Sequence, residues 1–170
     1  IVPLLFVQVT HYRVFYPATI LMTWPWFSIF GLLTLGYYGL YLYAWQVRHN
    51  RVNQLGRGVF FVASLFFVLI GFLFANAFSL LVNVPGWARL MEATSVSGAY
   101  TGLALNLGDP TLLPRWLMMF GLALCSTAAW LAIDAAFFCA GEDSYQAYAR
   151  RFALRLYAAG TAAFALFGSW

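Results

Sequence analysis

Apolar positions in this chain come in long unbroken runs, neither alternating as in a strand nor confined to one helical face. Three runs, residues 19–45, 58–84 and 113–140, each exceed the roughly 20 residues a helix needs to cross a bilayer core of about 30 Å. A fourth, residues 152–170, is shorter and reaches the last residue. In lipid every backbone polar group must find an internal partner, so such runs predict helices. The expected fold is all-α: an integral membrane helical bundle of about four transmembrane helices (19–45, 58–84, 113–140, 152–170), one domain over 1–170. Residues 1–9 are too short to span. They read as the tail of an earlier helix or as an interfacial segment. With Ile1 first and an apolar run last, the sequence is expected to be a piece of a longer protein.

Composition sharpens this. Of 170 residues, 64% are hydrophobic and 8% charged, whereas a soluble domain carries about 25% charged residues. A water-soluble globule and a disordered tail are excluded. The nine basic residues, all Arg, are too dispersed to track phosphates, which excludes a nucleic-acid module. Cys125 and Cys139 would lie about 21 Å apart along one helix, too far to bridge.

Charge collects in the connections. Residues 46–57 hold Arg48, Arg51 and Arg57 without an acid. Residues 85–112 hold Arg89, Glu92 and Asp109, and residues 141–151 hold Glu142, Asp143, Arg150 and Arg151. Basic residues mark cytoplasmic loops. Loops 46–57 and 141–151 are therefore expected to be cytoplasmic, with 85–112, His11 and Arg13 outside. Tyr16, Trp24, Trp26, Tyr37, Tyr38, Tyr41, Tyr43, Trp45, Trp87 and Trp116 fall near span ends, as interfacial aromatic belts do. Pro25, a turn into the first span, removes a donor and should kink or loosen that end. Gly121, Cys125 and Ala129, spaced by four with Ala128 and Ala132 beside them, predict close packing of the third span inside a bundle. The stretch 95–105 is nearly uncharged and reads as lying along the membrane surface.

Few polar side chains interrupt the runs, and Ser64, Ser79, Ser126 and Thr127 read as bonding to their own helix backbone. Asn76 and Asn83 are two turns apart on one face, which suits interhelical hydrogen bonds. Asp134 near the inner end of the third span reads as an interfacial carboxylate meeting a loop arginine, or as a proton-entry group. His11 is either structural or a haem or quinol ligand. Met118 and Met119, at the outer end of the third span, are packing groups or thioether ligands. Motifs for metal hydrolysis, covalent haem attachment or nucleotide binding do not occur.

One stretch says more. Phe74-Ala75-Asn76-Ala77-Phe78 closes the second span, a loop with Pro85-Gly86 follows, and residues 106–118 (NLGDPTLLPRWLM) open the third. This layout resembles subunit I of the cytochrome bd-type quinol oxidases. That family has an Ala-Asn-x-Trp-Met segment, then Pro-x-Gly, then Asn-Pro and a basic–aromatic–histidine opening. The resemblance implies a membrane subunit of a respiratory or photosynthetic electron-transfer complex in a bacterial inner membrane. It implies b-type haem or quinol on the outer face, with His11, Met118 and Met119 as ligands. It also implies other membrane subunits as partners, and a quinone or an outer-side cytochrome. Met118 stands where the family has its histidine, and the 19–45 span lacks the family's glutamates. If active, the chain would therefore belong to a quinol-linked oxidoreductase without itself reducing oxygen. A cofactor-free anchoring subunit of a larger complex and a transporter or channel fragment are the alternatives.

Overall fold

The structure, a computed structural model, describes residues 2–139 and 143–169. It is helical nearly throughout: α1 (Val2–Thr10), α2 (Tyr12–Leu21), α3 (Thr23–Arg48), α4 (Gln54–Val82), α5 (Trp87–Ala93), α6 (Leu112–Ile133) and α7 (Asp143–Gly168). Among the described residues strands are limited to a small hairpin, β1 (Ser95–Val96) and β2 (Ala99–Tyr100). The chain forms two compact units, 1–109 and 110–170. Among the described residues three helical segments are long and apolar enough to cross a membrane: Thr23–Arg48, Gln54–Val82 and Leu112–Phe138. The fold is thus all-α and of membrane type, as expected. The expected fourth span, 152–170, is helical as far as Gly168 as part of α7, which is not among these three. Ala140, Gly141, Glu142 and Trp170 lie outside the described residues.

In the first unit α3 and α4 pair as a helical hairpin. Their connection is only residues 49–53, so Arg48 and Arg57, expected in a loop, stand on the helices. The turn is a Schellman motif: Asn50 has φ 50°, its N–H reaches the Val47 carbonyl, and Arg51 N–H reaches that of Gln46. Asn53 then caps α4, its side chain accepting from Gly56 N–H at 2.8 Å. The helices approach closely because Gly36 faces Phe67 and Gly39 faces Ala63. Rings cross the seam in edge or tilted pairs: Trp26 with Phe74, Tyr37 with Phe67, and Tyr43 with Phe60. Tyr37 and Tyr43, expected as belt residues, thus also pack between helices. The outer faces are bare and apolar, as at Phe30 (65% exposed) and Phe61 (70%).

Between α2 and α3 the chain breaks at Met22. Pro25 explains it. Its missing N–H would have met the Leu21 carbonyl four residues back, and its ring crowds that carbonyl. The loop after α5 takes over. Ala104 N–H donates to the Leu21 carbonyl at 3.0 Å, the Tyr100 hydroxyl donates to the same oxygen, and Trp24 N–H donates to the Gly102 carbonyl at 3.1 Å. Met22 is fully buried there with Ala18, Ala77 and Leu80. The stretch expected along a membrane surface is instead hairpin and strap. Ser97 and Gly98, both at positive φ, make the two-residue turn, and Gly102, Ala104 and Asn106 are buried against the helices.

In the second unit α6 and α7 run against each other at Gly121 and Gly160. A Cβ on Gly121 would meet the Gly160 carbonyl oxygen at 2.8 Å, and one on Gly160 would meet the Gly121 oxygen at 2.7 Å. The small-residue seam is Gly121, Cys125 and Ala128. Ala129, expected on it, is exposed. An i, i+4, i+7 path follows the 3.6-residue turn more closely than steps of four. Residues 143–151, expected as loop, form the first turns of α7, where Ala147 and Ala149 favour helix. Cys125 is a free thiol.

Candidate functional site

The densest polar constellation sits where α4 ends. Asn76, Ser79 and Asn83 share one face of α4, and Asn106 returns against them from the strap. Asn106 N–H donates to Asn76 Oδ1 at 3.1 Å. Asn106 Nδ2 donates to Ser79 Oγ at 2.7 Å and to Asp109 Oδ2 at 3.3 Å. Asn83 Nδ2 donates to Asn106 Oδ1 at 3.1 Å, and Ser79 Oγ donates to Asp109 Oδ2 at 2.5 Å. Asn76 and Ser79 are completely buried and Asn106 nearly so. The partners expected for Asn76 and Asn83 on a neighbouring helix are thus in the loop, because α4 ends at Val82 and Asn83 is already its C-cap.

Local chemistry ends α4 here. Pro85 cannot donate, so the last carbonyls need other partners. Trp87 Nε1 donates to the Leu80 carbonyl at 2.9 Å, and Asn83 N–H to that of Ser79. Gly86 leaves room for the Asn83 amide, which a Cβ would meet at 2.6 Å. One donor in this set is left over: Asn76 Nδ2 is buried and without a hydrogen-bond partner. Its orientation is fixed, since Oδ1 takes the Asn106 N–H.

Beside this cluster lies Tyr100. Burial pushes its phenol above the ordinary tyrosine range, partly opposed by hydrogen bonds with Ala104 and Thr94.

The second unit has its own polar knot. The last turn of α6 widens into a π-turn over Asp134–Phe138, with Cys139 N–H reaching the Asp134 carbonyl. Asp134 Oδ2 accepts from Tyr145 OH at 2.7 Å and contacts Cys139 Sγ at 3.8 Å, and Gln146 Nε2 donates to the Cys139 carbonyl. Asp134 therefore takes a tyrosine from the start of α7, not the loop arginine expected. Arg150 and Arg151 are exposed on α7 itself.

The expected ligand residues fall in different units, His11 in the first and Met118 and Met119 in the second. His11, in the first unit, is exposed at the α1–α2 junction, its Nδ1 2.7 Å from Thr10 Oγ1. A groove of about 350 Å³ along α2 and α3, walled by Phe15, Thr19, Trp26 and Phe27, does not include it. Met118, in the second unit, is half-buried near Gly168, and Met119 is 38% exposed. Among the described residues no three of His, Cys, Asp or Glu are grouped to hold a metal ion.

The sequence pointed to Asn106 and Asp109, read Ser79 as bonding only to its own helix backbone, which its bonds to Asp109 and Asn106 overturn, and gave no sign of Tyr100 or Gly102. Ser79 was legible as the residue three after Asn76 on the same face. Tyr100 and Gly102 carry no such signal. No family model, curated protein or solved structure matches this chain.

Proposed function

We propose that this chain is a cofactor-free membrane subunit that anchors and shapes a larger membrane complex. Its outer cap, residues 83–109, is the rigid platform. One observation carries the reading: three of the four buried polar side chains among the described residues of the first unit, Asn76, Ser79 and Asn106, fasten that cap to α4 through three hydrogen bonds, and two more, Asn83 to Asn106 and Asn106 to Asp109, brace the cap itself. A lipid-embedded helix has little reason to bury asparagines unless they lock something in place. The Arg-bearing turn at residues 49–53 faces the cytoplasm in this reading, by the excess of basic residues there, and a bacterial inner membrane is the setting. Detergent extracts of source membranes, run by native electrophoresis, test it. The chain should migrate well above its own 19.1 kDa, and Asn106→Ala should release it from the large species. Wild-type migration as a lone chain contradicts the proposal.

A second reading keeps the electron-transfer role suggested by the likeness to bd-type subunit I. It is favoured by the meeting of Asn76 and Asn106, from the two halves of the resembling stretch, and by the spare buried Asn76 N–H. Such a donor suits a carbonyl oxygen, the group a quinone presents. A reduced-minus-oxidised spectrum of the purified complex separates the readings. A b-type band in one-to-one ratio with this chain favours the second and overturns the cofactor-free reading.

A further inference from the structure

A groove of about 720 Å³ opens along the α3–α4 hairpin, walled by Leu35, Leu55, Val62 and Phe66 and floored by Gly39 and Gly58, with the polar Gln54 at one end. The two glycines differ. A Cβ on Gly39 would come within 2.9 Å of the Ala63 Cβ, so Gly39 serves the helix contact. A Cβ on Gly58 would meet nothing within 4 Å. Gly58 therefore weakens its helix without serving any packing in the hairpin. What it does is keep the groove open.

Length and charge say what fits. From Leu55 to Phe66 the groove runs about 16 Å along α4, half of the roughly 30 Å hydrocarbon core and so the depth of one leaflet. Its Gln54 end adjoins the turn at residues 49–53, where Arg51 is exposed, with Arg48 and Arg57 on the flanking helices. No Asp or Glu precedes Glu92 in the sequence, so this end is uniformly cationic. The guanidinium fork matches phosphate oxygens, and basic groups at the membrane surface attract anionic lipid.

We propose that the groove binds an anionic diacyl phospholipid, one acyl chain lying over Gly58 and Gly39 and the phosphate held at Arg51 and Gln54. A helix of a second copy could also cover an apolar groove, but it would bring no charge to answer Arg51.

The test uses the full chain in phosphatidylcholine vesicles doped with spin-labelled phosphatidylglycerol or spin-labelled phosphatidylcholine. Wild type should hold the anionic label in the motionally restricted fraction about fivefold over the neutral one, the factor one arginine near the surface supplies. Arg51→Gln should bring that ratio to one while a restricted fraction remains. Gly58→Leu should remove about one restricted lipid per chain, with helical content retained by circular dichroism. Equal retention of both labels by wild type overturns the proposal, as does an Arg51→Gln ratio unchanged from wild type. So does a Gly58→Leu variant that turns a dimer into a monomer at an unchanged lipid count, which would give the groove to a second copy. If Gly58→Leu does not fold, the Arg51→Gln ratio alone decides.

Discussion

At Gly102 the backbone takes φ 70°, and an added Cβ would lie 3.1 Å from the Thr23 Cβ. The position lets the strap offer its carbonyl to Trp24 N–H. Gly102→Ala is expected to lower unfolding stability by about 1–2 kcal/mol, the usual cost of a left-handed non-glycine residue, read as a drop in the melting midpoint. Asn106→Ala takes away the donor to the buried Ser79 Oγ and the acceptor of the half-buried Asn83 amide, and should cost about 1–3 kcal/mol. Tyr100 gives a pH signature. Its phenol holds the proton more tightly folded than unfolded, so its contribution is whole below about pH 10, the ordinary tyrosine value, and is lost as pH rises through the raised folded value. Melting midpoints across the alkaline range should fall more steeply for wild type than for Tyr100→Phe. Parallel curves would refute the assignment.

At the scale of elements, the break between α2 and α3 follows from one missing hydrogen. Pro25→Ala restores a donor to the Leu21 carbonyl, in competition with Ala104 N–H and Tyr100 OH. Hydrogen exchange should then slow around residues 22–25 and quicken over 99–104. The sequence told where the helix would loosen, because proline acts on its own turn. It did not tell what would take the freed carbonyl, because Tyr100 lies 79 positions away and no local pattern encodes that pairing. The α6–α7 seam makes the complementary point. Gly121 was legible as a small residue on an apolar helix, but its counterpart Gly160 is identified only by the backbone approach between the two. The same substitution should therefore have opposite effects at two glycines. Gly58→Ala should stabilise by up to about 1 kcal/mol through helix propensity. Gly121→Ala should destabilise, since neither the Gly160 carbonyl nor the Phe164 backbone N–H can move aside as a flexible side-chain end would. Thermal melts of the two variants side by side check this.

Over the whole molecule, the apolar runs were enough to announce helices in lipid, since no other structure satisfies the backbone there. Their inner ends were less legible. Arg48, Arg57, Arg150 and Arg151 read as loop residues because charge usually marks a connection, yet long arginine stems let a helix continue to the interface. The polar site was half legible. Asn76 and Asn83 stood out as costly groups in an apolar run, but the loop that answers them was visible only once folded. The hairpin itself sets a strict geometry: α3 is about 39 Å long, close to the full thickness of a bilayer, and α4 returns antiparallel to it. Arg48 and Arg89 must then lie on opposite sides of the membrane. Single Arg48→Cys and Arg89→Cys variants, in a background with Cys125 and Cys139 changed to Ala, can be labelled with an impermeant maleimide in right-side-out and inside-out vesicles. Each site should label in only one vesicle type, and the two sites in opposite types. Labelling of both sites from the same side would contradict the membrane-crossing hairpin.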